Sequence, residues 1–237
     1  MKVVGLVRAK NAGMWINLLL EQMSVFCDEI LFLGEQSDDN TNELAKQYSP
    51  TMVTRPPGHE LGHAGQDRIL LHERARFYCP DWIYAPDADE LLEPGAPEKI
   101  RDMILRAEYL RNEMVAFPFL YLWNDPYHYR IDGNYKTITV VRLFRYFPKM
   151  SPAPRNSHSM AIPLELLQKG NPFRSTIKIL HFGYMTLEQR QGKCDFYAHR
   201  DPPGSEGYKQ GGGKGDYSGL LGLNAVTDEV LNPLVIL

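Results

Sequence analysis

Apolar residues fall along the chain in two spacings, short unbroken runs and stripes three or four residues apart. Lys2 to Val7, Asp28 to Gly34, Thr51 to Thr54 and Asp81 to Pro86 are runs of the first kind and read as buried strands. Between them, Trp15, Ile16, Leu19, Leu20, Met23 and Phe26 recur at helical spacing, and NELAKQY reads as a short helix that Thr41 is placed to cap. A third helix is predicted from Gln66 to Tyr78, with Leu71, Ala75 and Tyr78 on one stripe and Arg68, His72 and Arg76 on a second, basic one. Alternating strands and helices predict an α/β chain with a Rossmann-type, mostly parallel sheet flanked by helices. Ligands in such sheets bind outside the carboxyl ends of the strands. The fourth strand runs at that end straight into Asp87, Ala88, Asp89 and Glu90.

The second half is less regular. Pro97 opens a helix carrying Ile100, Ile104, Ala107 and Leu110, and Met114 to Trp123 and Thr137 to Tyr146 read as long strands joined by a polar, aromatic loop, NDPYHYRIDGNY. A further strand (Ile177 to Phe182) and a helix (Thr186 to His199) precede a tail whose KQGGGKG run favours mobility. No linker divides the 237 residues into independent folds. The expectation is one domain over residues 1–200, with a ligand-binding half to about residue 95 and a second half over 96–200, and a tail, 201–237, packed on it. With 43% apolar and 23% charged residues the composition is that of a globular protein, and a net charge of −3 gives no bulk reason to bind nucleic acid. Three widely spaced cysteines suggest neither a disulfide framework nor a zinc knuckle. No apolar run approaches the ~18 residues that span a bilayer, and no leader is visible before the first strand. A cytoplasmic protein is expected, at most peripheral to the inner face of a membrane.

Two carboxylates at i and i+2 leaving a strand can hold a hard divalent cation, and such a cation bridges the phosphates of a nucleotide. The plain alternative is a solvated acidic turn shared with Glu90 and Glu93. Position favours the first, because buried Trp82 and Ile83 would aim the acids at the crevice of the sheet.

The string DWIYAPDADELLEP resembles the D-W-I-x-x-x-D-A-D-E segment of family 2 glycosyltransferases, which have the GT-A fold. VVGLVRAKNAGMWINLLL is similar to that family's first strand and R-x-K-N loop, and GEQSDDNT to its D-N-G-S-T-D-G-T, keeping Ser37, Asp39 and Thr41. VVRLFRYF, a loop with His158, ILHFGYM and a helix with Lys193 resemble the second half of a subgroup with R-L-F-R, H-E, L-H-x-G-Y and K. The resemblance covers most of residues 2–200, with its motifs in order. It implies a GT-A-like enzyme that moves a sugar, by direct displacement with inversion, from a nucleoside diphosphate sugar to an acceptor hydroxyl. By resemblance, Asp87, Asp89 and His181 would hold Mn²⁺ or Mg²⁺, and Arg8, Lys10, Asn11, Glu35, Ser37, Arg68, Asp87 and Ala88 would line the donor pocket.

The sequence departs from this pattern in places. Gly34, with Glu35 beside it, replaces the acid that reads the base, leaving UDP- and GDP-linked donors open. The H-E pair reads His158, Ser159, so the proton acceptor is sought in Asp125 and His158. Aromatic and polar residues such as Trp123, Tyr127, His128 and Tyr129 suit a glycan acceptor, a polysaccharide or lipopolysaccharide among them, although they suit core packing too. Acceptor and oligomeric state are not written in the residues.

Three other classes compete. His59, Glu60 and His63 match H-E-x-x-H, a zinc-hydrolase signature, but Pro56, Pro57 and Gly58 stand directly upstream and Gly62 within it. A dinucleotide-binding oxidoreductase would need G-x-G-x-x-G after the first strand, which is absent. A nucleotide-sugar-binding module without turnover is the third, motivated by Ser159.

Overall fold

The computed structural model describes residues 1–48, 50–59, 63–149, 162–200, 225 and 227–229. Its first part is β1 (Val3–Ala9), α1 (Ile16–Phe26), β2 (Glu29–Gly34), α2 (Thr41–Lys46), β3 (Thr51–Met52), α3 (Ala64–Ala75) and β4 (Trp82–Tyr84). β2 and β4 lie on either side of β1, both parallel to it, and β3 adds parallel to β2. Val3 and Val7 of β1 face α1 through Ile16, Leu20, Met23 and Phe26, whereas Val4 and Leu6 face α3 through Leu70, Leu71 and Ala75. A strand covered on both faces has no solvent side, which is why these runs are apolar throughout rather than alternating. α1 approaches β1 so closely that a Cβ at Gly5 would overlap Met23 Cε.

The second part joins this sheet from the far edge of β4. After β5 (Glu90–Leu92) and α4 (Ile100–Tyr109) come β6 (Met114–Trp123), β7 (Asp125–Arg130) and β8 (Thr139–Arg145). α5 (Leu164–Lys169), β9 (Phe173–Arg174), β10 (Ile179–His181), α6 (Leu187–Arg200) and β11 (Thr227–Glu229) complete the described elements. The strand order is β3-β2-β1-β4-β8-β6-β7-β11, with β8 antiparallel to both β4 and β6. β6 changes partners along its length. Met114 to Pro118 pair with β8, and Phe119 to Tyr121 pair with β10, which also carries β5. Pro118, which has no N–H to donate, stands where the strand leaves one sheet for the other. This curl brings the end of β10 beside the acids that follow β4.

Three expectations need correction. The polar segment between the two long strands is not a loop: Asp125–Arg130 is strand β7, paired with β6 and β11, and Gly133–Lys136 is a 3₁₀ turn. Thr41 does not cap α2 but begins it, with its hydroxyl bonded to Asp39 and to the Ala12 N–H. His72 does not share the exposed setting of a basic stripe. It is buried, stacked on Tyr146 at 5.2 Å, and burial pushes its pKa down to about 4. Among the described residues, no helix is long and apolar enough to cross a membrane. The glycine-rich run at 209–215 lies outside them.

Candidate active site

The crevice begins where β1 and β2 end. The loops after these strands are clasped together: the Asn11 N–H donates to Ser37 Oγ at 3.1 Å, the Ala12 N–H to Thr41 Oγ1 at 2.7 Å and the Gly13 N–H to Asp39 at 2.9 Å. Asn11 adopts left-handed backbone, and its side chain exchanges hydrogen bonds with Asp38. Ser37, Asp39 and Thr41 thus shape the first loop, on which Lys10 is exposed. Behind the clasp is a buried ionic hub. Asp67, in the first turn of α3, accepts from Arg8 Nε at 2.7 Å and Arg55 Nε at 2.8 Å and meets His59 Nε2 at 2.9 Å, while Arg8 also pairs with buried Glu35. Burial would raise the Asp67 pKa, but the Arg55, Arg8 and His59 donors outweigh it and hold the carboxyl low.

Asp87 sits next to this hub, at a backbone bridge to Arg8. Its oxygens are divided between Arg68 of α3, at 2.7 Å, and Arg142 of β8, at 2.8 Å. Arg142 also grips Glu90, which is 1% exposed and accepts the Asp87 N–H at 3.0 Å. Four charges therefore cancel in one cluster. Desolvation works against ionised Asp87, yet Arg142 and Arg68 hold its pKa well below the carboxylate range; for Glu90, desolvation wins over Arg142 and the pKa rises. Arg8, Arg68 and Asp87 line a cleft floored by Leu6, Leu71 and Ala85. Ala88 packs against the α1-side core.

Asp89 faces the other way. Its Oδ2 lies 3.3 Å from Lys193 Nζ, on α6, and 3.4 Å from His181 Nε2, at the end of β10. Desolvation is again outweighed, here by Lys193 and His181, and the Asp89 pKa is held far down. His181 is packed among the rings of Phe119, Tyr121 and Tyr184, and its Nδ1 is buried with no hydrogen-bond partner. Lys193 Nζ also stands over the Tyr184 ring at 4.2 Å. A Cβ at Gly183 would overlap both Asp89 Oδ2 and Lys193 Nζ, so the two side chains meet in the space that glycine leaves there. A carboxylate oxygen and an imidazole nitrogen facing each other make a donor pair that fits a divalent cation, with the orphaned Nδ1 marking polar capacity the core does not use. Among the described residues, no three His, Cys, Asp or Glu side chains gather as a metal cluster, because Asp87 is turned to its arginines.

The remaining candidates are placed as follows. Asp125, at the start of β7, accepts from the Tyr127 and His128 N–H groups at 2.7 and 2.9 Å and meets His128 Nδ1 at 2.9 Å. Its neighbour Asn124, in left-handed backbone, donates its N–H to Met185 O at 2.7 Å, which ties the start of β7 to the segment that carries His181 and Gly183. His158 and Glu60 lie outside the described residues. His59 and His63 do not share a helix face: His59 serves Asp67, and His63 caps α3, accepting from the Gln66 N–H. Sequence reasoning assigned no role to Asp67, Arg55 or Arg142. Asp67 precedes Leu70 and Leu71 by three and four residues, an acid on the apolar stripe, and Arg142 opens the R-L-F-R string.

A parallel half completed by a mixed half, in which β8 runs antiparallel and β10 parallel to β6, is the arrangement of the GT-A fold of glycosyltransferases. S. aureus TarS superposes with a TM-score of 0.51 at 12% identity, over 85% of this chain and 40% of that one. No protein-family model matches the sequence. An uncharacterized protein of Mycobacterium tuberculosis is 29% identical over 215 residues, 85% of this chain and 51% of that protein. An uncharacterized glycosyltransferase of Rickettsia bellii is 24% identical over 203 residues, 83% of this chain and 65% of that protein. The chain spans about half the length of the mycobacterial relatives it matches.

Proposed function

We propose that this chain transfers a sugar from a nucleoside diphosphate sugar, UDP- or GDP-linked, to the hydroxyl of a glycan, with inversion. The observation that carries the reading is the split surroundings of Asp87 and Asp89 at the end of β4, one joined to an arginine cleft and one to His181 and Lys193. The glycosyltransferase name of the Rickettsia bellii relative supports it. In this reading Arg8, Glu35 and the clasped loop with Asn11 face the nucleoside, and Arg68, held by Asp87, turns its guanidinium to phosphate. Asp89 and His181 would hold the cation, and their mixed oxygen and nitrogen donors would suit Mn²⁺ better than Mg²⁺. A divalent cation bound there supplies positive charge against that developing on the leaving diphosphate. Asp125, hydrogen-bonded to His128, takes the proton of the acceptor hydroxyl as its oxygen attacks the anomeric carbon and the carbon–oxygen bond to the diphosphate breaks.

The test is a thermal-shift panel of UDP, GDP, CDP and dTDP, each with Mn²⁺, with Mg²⁺ and with EDTA. A ligand that binds only the native chain raises the midpoint by mass action. A rise with UDP or GDP that EDTA removes is the expected result. No rise with any nucleotide overturns the reading.

A further inference from the structure

Lys193 shares a single oxygen with the group expected to hold a cation. Its ammonium and the His181 imidazole both address Asp89 Oδ2, at 3.3 and 3.4 Å, and Lys193 is only partly exposed there. The pairing spans 104 residues of sequence and occupies space that a side chain at position 183 would enter. It therefore has the mark of a built contact rather than a chance surface pair. Asp87 has two guanidinium partners, of which Arg142 is also held by Glu90, whereas Asp89 faces His181 and one flexible lysine whose ammonium at the same time stands over the Tyr184 ring.

We propose that Lys193 is an exchangeable counter-charge: it occupies Asp89 in the free chain, yields that oxygen to a divalent cation, and passes to the diphosphate that arrives with it. The inference rests on the donor-site reading above. An ammonium and a divalent cation repel at one carboxylate oxygen, so the cation alone must push Lys193 off Asp89. A diphosphate changes that balance, since its oxygens accept the displaced ammonium. Cation and nucleotide therefore bind cooperatively, with Lys193 as the coupling group.

The experiment is a titration of free Mn²⁺ followed by electron paramagnetic resonance, for the wild-type chain, Lys193→Met and Lys193→Arg, without nucleotide and with UDP or GDP. Wild type should bind Mn²⁺ about tenfold more tightly with the nucleotide present. Lys193→Met should bind Mn²⁺ alone about tenfold more tightly than wild type and lose most of the gain from nucleotide, while Lys193→Arg keeps it. Lys193→Gln reads the same quantities should the methionine variant fail to fold. If a folded neutral variant binds Mn²⁺ alone no more tightly than wild type and keeps the nucleotide gain, the role of Lys193 is overturned. If wild type binds neither Mn²⁺ nor nucleotide, the donor-site reading itself falls, and this inference with it.

Discussion

Asp87 and Asp89 are two residues apart in one turn and live in opposite surroundings. Asp87 belongs to a set of two carboxylates and two guanidiniums drawn from α3, the β4–β5 segment and β8. Asp89 meets a lysine and an imidazole that arrive on later elements, α6 and β10, at longer range. A carboxylate saturated by guanidiniums orients its neighbours, and a carboxylate with a loosely held partner can exchange it. On the proposed function the pair divides into a scaffold acid, Asp87, and a working acid, Asp89.

The scaffold side is where stability is most exposed to mutation. Arg142 and Glu90 are 13% and 1% exposed, and Arg142→Met leaves Glu90 with no cation in the core. Loss of one partner of a buried pair costs about 3–5 kcal/mol. Urea unfolding should register a loss in that range, and a loss below about 1 kcal/mol would mean that the cluster is not the anchor of the turn. The working side should respond in activity instead. Asp89→Asn is expected to lower turnover by about 10²- to 10³-fold, as removal of a charge-stabilising group at a reaction centre does, with the urea midpoint nearly unchanged. A variant that keeps turnover and loses stability would reverse the assignment of the two acids.

The scaffold side also carries a pH signature. His72 lies one helical turn past Arg68 in α3, and burial lowers its pKa from 6.5 to about 4. Between those values the unfolded chain binds a proton that the folded chain refuses, so stability falls as pH drops through the window, by up to about 3 kcal/mol in total. His72→Phe, which keeps a ring against Tyr146, should flatten urea midpoints between pH 6.5 and 4.5 relative to wild type. Equal slopes in the two proteins would show that His72 titrates normally.

Much of the working side was legible from the sequence, and less of the scaffold. Strands β1, β2 and β4 are covered on both faces, so apolar runs reported them directly, and the Asp-Ala-Asp that follows β4 stood out against them. His181 and Gly183 came as one string because their spacing sets one contact. Asp67 and Arg142 did not stand out, since a charged residue becomes a buried ion only through partners far along the chain: Arg8 is 59 residues from Asp67, and Asp87 is 55 from Arg142. The same holds for His72, whose burial depends on Tyr146, and for β7, a polar run that forms a strand by pairing with β6 and β11. Local pattern reports elements that local burial creates, while long-range ion pairs leave no period to read.

The finest separation of the two acids comes from Asp87→Asn. The amide keeps one acceptor oxygen, so it retains a hydrogen bond to Arg68 or Arg142 and gives up the charge that holds both. Arg68 then loses its fixed orientation, and kcat/KM should fall by about tenfold, or ~1.4 kcal/mol. Mn²⁺ affinity should stay within about twofold of wild type, whereas Asp89→Asn should weaken it by at least about tenfold. Paramagnetic titration of the two variants side by side measures this. If Asp87→Asn weakens Mn²⁺ as much as Asp89→Asn does, both acids are ligands. Asp87 must then leave its two arginines when the cation binds, and the cluster with Glu90 becomes part of the working site rather than its support.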